Sequence, residues 1–287
     1  MTDRHRIEAD GLSATIQARG AELVSLRDAA GGEYLWQAGP EWRRHAPVLF
    51  PIVGKLAGDT LRHGGAEHRL TQHGFARDRR FEWVEREPAS CRLRLADDAE
   101  SRAAYPFGFV LELAYSLAGG TLTVTARIAN PGEAVLPCAI GAHPAFRWPL
   151  APGAAKEAHR LVFEQPETGP SLRLEGGLLG PEEPSPVQGR ELPLSPGLFA
   201  RDALILPAVA SRALRYEAPD GTALTVRWEG YPDLGLWSKP EGANFLCIEP
   251  WHGMSSPVGW DGDFAEKPGL LHIPPGGSRE FAWSVTL

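Results

Sequence analysis

The sequence predicts an all-β protein, a large antiparallel β-sandwich, and three observations carry that reading. First, 32 glycines and 26 prolines, about a fifth of the 287 residues, are spread along the whole chain and punctuate any long helix. Second, apolar residues recur with period two in runs that pair across short turns. Leu111, Leu113, Tyr115 and Leu117 precede Gly119-Gly120, and Leu122, Val124, Ala126 and Ile128 follow it. Leu214, Tyr216 and Ala218 are joined in the same way through Asp220-Gly221 to Leu224, Val226 and Trp228. Third, Phe281, Trp283, Val285 and Leu287 form a terminal strand pattern. The apolar fraction of 43% is enough for one sizeable core.

The remaining elements follow in chain order. Asp97 to Ala104 predicts two helical turns, stopped at Tyr105-Pro106 because the residue before proline avoids helical geometry. The stretch from Pro166 to Pro196 is rich in Pro, Gly and Glu and reads as a surface excursion holding short strand pieces at most. Strand-like patterns resume on both sides of it without a change of character. No repeat has a fixed period, so residues 1–287 are expected to form a single domain.

Composition excludes several function classes. A net charge of −7 argues against nucleic acid or an anionic membrane surface as partner. No apolar run reaches the roughly eighteen residues of a membrane span. Met1 to Asp10 is polar and charged, without the apolar core of a secretion signal, and the expected location is cytoplasmic. Cys91, Cys138 and Cys247 form no C-x-x-C pair and read as reduced core thiols. His63, His68 and His73 recur every five residues, a spacing that aligns on neither a helix nor a strand face. No metal and no other cofactor is expected.

Two segments carry chemistry. Cys138 to Phe146 is apolar up to His143, and Asn244 to Trp251 is apolar up to Glu249. Both polar residues stand directly before a proline, and each reads as the last residue of a buried strand. Period two puts Phe245, Cys247 and Glu249 on one face, where loss of hydration raises a carboxyl toward the range useful for a general base.

The ordered set Gly20-Ala21-Glu22-Leu23, Leu49-Phe50-Pro51-Ile52-Val53-Gly54-Lys55, His73-Gly74-Phe75-Ala76-Arg77, Gly141-Ala142-His143-Pro144-Ala145-Phe146 and Ile248-Glu249-Pro250-Trp251 resembles the aldose 1-epimerase (galactose mutarotase) family. The His-Gly-Phe-Ala-Arg form is similar to a branch related to hexose-6-phosphate mutarotases. The resemblance implies a β-sandwich of the galactose mutarotase-like type with an open sugar cleft, and an enzyme that exchanges the α and β anomers of an aldose without a metal. It makes Glu249 the general base at the anomeric hydroxyl, His143 the general acid at the ring oxygen, and His73 a second histidine holding the ring. It makes Asp202 a sugar-binding carboxylate. Lys55 stands where better-known members carry a sugar-binding arginine, and a point charge replaces a planar fork there. Trp251, Trp237 and Phe146 offer stacking surfaces.

Arg77, four residues after His73, lies about 13 Å from it in an extended segment, at roughly 3.3 Å per residue. With Lys55 it suits an anionic group such as a 6-phosphate, the alternative being a structural ion pair of Arg77 with a carboxylate near Asp78 or with Glu82. The partner is therefore a small sugar, free or phosphorylated, and the protein itself a monomer or homodimer. The competing reading is a non-catalytic sugar-binding or sensing module, which has no need of an acid and a base together. A glycosidase ordinarily needs two carboxylates flanking the bond, and only Glu249 has that context.

Overall fold

In the computed structural model, which describes residues 3–239 and 242–287, the chain is built from antiparallel strands. Nine strands form one sheet, and eight short ones form a second. The expected hairpins occupy the first. Val110–Ala118 pairs with Thr121–Ala129, and Ala213–Glu217 with Ala223–Glu229. Ser278–Thr286 lies between these two hairpins and pairs with a strand of each. The period-two apolar residues face inward because a strand turns alternate side chains to opposite faces.

The second sheet is centred on Phe245–His252, flanked on one side by Asp233–Trp237 and then Leu204–Leu206. Its core face presents Leu204, Leu206, Leu234, Leu236, Leu246 and Ile248, which pack in one buried cluster with Leu111, Leu113 and Val124 of the nine-stranded sheet. The other face presents Ala203, Ile205, Trp251, Phe245 and Cys247, which belong to two smaller apolar clusters. The sandwich therefore has one main core and a second face left for other work.

The helix runs Ala99–Ala104, with Asp98 as its cap in a reciprocal pair with Ser101, and it ends at Tyr105. The Pro-rich stretch is more ordered than a surface excursion. Ser171–Glu175 and Leu178–Glu183 form a hairpin at the edge of the eight-stranded sheet, and Glu191–Pro193 edges the nine-stranded one. The three cysteines are free and buried, as the sequence implied. No helix among the described residues is long and apolar enough to cross a membrane.

Candidate functional site

Glu249 is not the end of its strand. Phe245–His252 runs through Glu249 and Pro250, in unbroken register with Asp233–Trp237, and Gly235 stands opposite Glu249. The proline is tolerated because of what lies on the strand's other side. There, Ala145–Arg147 pairs as far as Cys247, and Ile140–Ala142 takes up the pairing again at Trp251. The Ile248 N–H reaches the Pro144 carbonyl on this side at 3.3 Å. By strand alternation the nitrogen of residue 250 points the same way, into the break between the two short strands. A residue without an N–H costs no ladder bond there.

His143-Pro144 is that break. His143 follows Ile140–Ala142, as the sequence implied, and lies beside Glu249 with Nε2 3.2 Å from Oε2. Both side chains are almost fully buried. Burial pushes Glu249 well above the usual carboxylate range against the pull of the Trp251 indole, and the charge of Asp202 adds to the rise. Burial also pulls His143 down to about 3, helped by the charges of Arg77 and Arg44.

His73 is held by a turn rather than a strand. His73 and Gly74 both have left-handed backbones, at φ +65° and +67°. A Cβ on Gly74 would stand 2.3 Å from the Phe50 carbonyl oxygen, so only glycine fits. The turn brings the His73 N–H to the Gly54 carbonyl at 2.7 Å. The Gly54 N–H in turn donates to His73 Nδ1 at 3.1 Å. Gly54 has φ +71°, and a Cβ there would lie 2.0 Å from the Ser255 hydroxyl. Because Nδ1 accepts, the neutral imidazole carries its proton on Nε2. Burial lowers the pKa of His73 well below the ordinary histidine value, and neighbouring His143 adds to this.

The turn overturns the extended geometry expected between His73 and Arg77. Residues Ala76–Asp78 form a short 3₁₀ turn, and Arg77 lines the same cavity as His73. Its Nη2 donates to the Gln72 carbonyl at 2.7 Å, while Nε lies 3.8 Å from the Asp78 carboxylate. Burial lowers the Arg77 guanidinium to about 10.

Together with His143, Glu249, His73 and Arg77, the cavity is lined by Asp202, Trp237 and Trp251, and its volume is about 280 Å³. That lies just below the range of about 300–1,000 Å³ usual for ligand sites and suits a single sugar ring better than an oligosaccharide. Asp202 has a left-handed backbone at φ +70°, and its carboxylate accepts the Ala203 N–H at 2.9 Å.

Two expected contributors are elsewhere. The Lys55 ammonium is 3.8 Å from Asp59, four residues on, and its stem lies against Gly177 rather than along the cavity. Phe146 is fully buried in the main core, because its place in a strand turns it away from the face that carries Glu249. The five-residue histidine series separates: His63 bonds Asp263 at 2.9 Å, His68 the Ala103 carbonyl at 2.9 Å, and only His73 reaches the cavity.

Sequence reasoning missed Trp42. Its ring stacks on His143, with centroids 5.0 Å apart and planes 25° apart, and Trp237 meets both rings edge-on. Trp36 fixes this loop by donating its indole N–H to the Trp42 carbonyl at 2.8 Å. The one available signal was a large aromatic inside the charged run Glu41-Trp42-Arg43-Arg44. Leu174, from the Pro-rich stretch, and Ser255 were missed as well. Cys247 lies on the same strand face as Glu249. One ligand atom each from His143, Cys247 and Glu249 all fall within 4.8 Å of one another.

This arrangement can hold a ring between aromatic walls and move protons at one point of it. The sequence profile described as aldose 1-epimerase matches residues 3–259. Protein LacX (plasmid) of Lactococcus lactis subsp. lactis is 31% identical over 288 aligned positions, which cover 96% of each chain. Among solved structures, a galactose mutarotase related enzyme from Lactobacillus acidophilus superposes with TM-score 0.93 at 32% identity, covering 99% of this chain and 96% of that one. A galactose mutarotase-like protein from Lactobacillus casei gives TM-score 0.91 at 29% identity, covering 99% of both chains.

Proposed function

The chain belongs to the aldose 1-epimerase family, and on that premise we propose that it interconverts the α and β anomers of an aldose by acid–base opening and closing of the ring. The observation that carries this reading is the buried His143–Glu249 pair, 3.2 Å apart in the wall of a ring-sized cavity. Opening a hemiacetal takes a proton from the anomeric hydroxyl and places one on the ring oxygen. Both oxygens hang from one carbon, so the two groups that serve them must be close neighbours. Each transfer is worth about 10²–10⁴-fold.

The pair works with one proton between its members. In the opening direction ionised Glu249 accepts the hydroxyl proton while protonated His143 gives its own to the ring oxygen. Afterwards Glu249 carries the proton and His143 is neutral. The aldehyde carbon rotates, and closing reverses both transfers. Burial raises Glu249 and lowers His143, so it favours the carboxyl-protonated arrangement before a sugar enters. A polar sugar between the two groups offsets that preference. His73 Nε2–H and the Asp202 carboxylate hold ring substituents, and Trp42, Trp237 and Trp251 cover the apolar faces.

The test is anomer exchange followed by NMR or polarimetry on free and 6-phosphorylated aldoses. Glu249→Gln keeps the shape and removes the proton acceptor, so exchange is expected to fall at least about 100-fold with the fold intact. Near-normal exchange in this variant overturns the mechanism. Arg77 adds a substrate-class prediction. A half-buried guanidinium with only a distant carboxylate suits an anionic substituent. Arg77→Ala should therefore weaken turnover of a phosphorylated hexose far more than that of the free sugar. Equal losses on both leave Arg77 a structural residue.

A further inference from the structure

The reaction proposed above uses two of three reactive side chains that converge on one point. The third is Cys247, fully buried two residues before Glu249 on the same strand face. It packs with Phe245, Ala145 and Ala243, which a simple apolar residue would do equally well. What distinguishes a sulfur here is its company, with one imidazole nitrogen and one carboxylate oxygen each within 4.8 Å of it.

A tetrahedral zinc ion has bonds of about 2.0–2.3 Å to nitrogen, oxygen and sulfur, which space its ligands roughly 3.3–3.8 Å apart. The His143–Glu249 pair, at 3.2 Å, is already near that spacing. The sulfur has to approach by no more than about 1.5 Å, a side-chain adjustment, to complete a face. Nitrogen, thiolate and carboxylate together form a donor set suited to zinc rather than to magnesium or calcium, which take oxygen ligands.

Charge supports the same ion. Burial holds both the Cys247 thiol and the Glu249 carboxyl protonated, the thiol also through the charge of Glu249, so zinc binding releases both protons to solvent. The thiolate and carboxylate left behind balance the divalent cation as a neutral cluster, the form that a buried site tolerates best. Arg77 and Arg44, whose charges reach His143, would repel a bare cation but not a neutral cluster, and Asp202 lies on the favourable side of that balance. His143 and Glu249 line the cavity and Cys247 lies behind them, so an ion held by the three would occupy the groups that meet a ligand there.

We propose that His143, Cys247 and Glu249 form a zinc-binding site whose occupation ties up the acid–base pair, so that a soft divalent cation inhibits the protein in competition with its sugar. This rests on the acid–base reading for its consequence but not for its binding chemistry. The experiment separates the two. Cobalt(II) is added to the full-length protein as a spectroscopic stand-in for zinc, and the near-ultraviolet thiolate-to-cobalt absorption is recorded. The wild type is expected to develop that band at stoichiometric cobalt and to lose it when zinc is added. Cys247→Ser and Cys247→Ala are both expected to lack the band while keeping anomer exchange. The zinc concentration for half-inhibition should rise at least about tenfold in each variant.

Absence of the band in folded wild type, or its persistence in both variants (which would move it to Cys91 or Cys138), overturns the site. Equal zinc sensitivity in wild type and variants, or activation by zinc, overturns the inhibitory role. If the wild type exchanges no sugar at all, the catalytic reading fails and the cobalt band still decides the metal site.

Discussion

The two faces of the Phe245–His252 strand are made from alternate residues of one segment, yet they obey different rules. Leu246 and Ile248 enter the main core, where they need only be apolar and of the right volume. Phe245, Cys247, Glu249 and Trp251 point to the other face, where shape alone does not account for the residue types. The core face stabilises the sandwich. The cavity face buries a carboxyl and an imidazole, both shifted far from their ordinary values by loss of water. One strand thus separates stability from chemistry at a spacing of one residue.

The largest effects should fall on the cavity face and on rate. His143→Asn removes the acid and is expected to lower exchange by about 10²–10⁴-fold, with the thermal transition nearly unchanged. His73→Asn removes one hydrogen-bond donor to the ring, so the expected loss is roughly tenfold and includes a higher KM. Equal kinetics in the two variants, or a larger loss at His73, would break the assignment of His143 as the acid. On the core face the outcome should invert. Ile248→Ala is expected to cost about 2–5 kcal/mol in chemical denaturation while leaving kcat of the folded fraction unchanged. A large kcat loss there would mean that the two faces are not independent.

The core face was legible in the sequence because period two is a local property. The Leu111–Leu117, Leu122–Ile128 and Leu214–Trp228 patterns each turned out to be strands of one sheet. His143 and Glu249 were legible as residues because each ends an apolar run before a proline. Their contact was not, since it depends on a break in one strand opposite a proline in another, a non-local register. Arg77 was misplaced because nothing in the residue type of His73 reveals a left-handed backbone. Trp42 reaches His143 from a loop about a hundred residues earlier in the chain, and Leu174 reaches the cavity from the hairpin in the Pro-rich stretch. Lys55, placed at the site only by the position of its motif, spends its charge near Asp59.

The smallest expected effect sharpens the contrast, because it concerns what the cavity face does to stability. Glu249 has a folded-state pKa raised above its ordinary value by burial. The folded state therefore holds this proton more tightly than the unfolded chain does. Its contribution to stability is fully present below about pH 4.5 and is lost as pH rises toward the folded-state value. His143 has the opposite sign: lowered to about 3, it contributes stability above about pH 6.5 that is lost as pH falls. Glu249→Gln removes the first dependence and keeps the second, since an amide fills the same space without a proton to lose. The variant should thus melt at nearly the wild-type temperature near pH 4.5 and a few degrees higher near pH 8. Differential scanning calorimetry across that range measures the gap directly. A gap that stays constant with pH, or a variant that melts lower at pH 8, would mean that Glu249 is stabilised as an ion, and the carboxyl would then have no strain for a sugar to relieve.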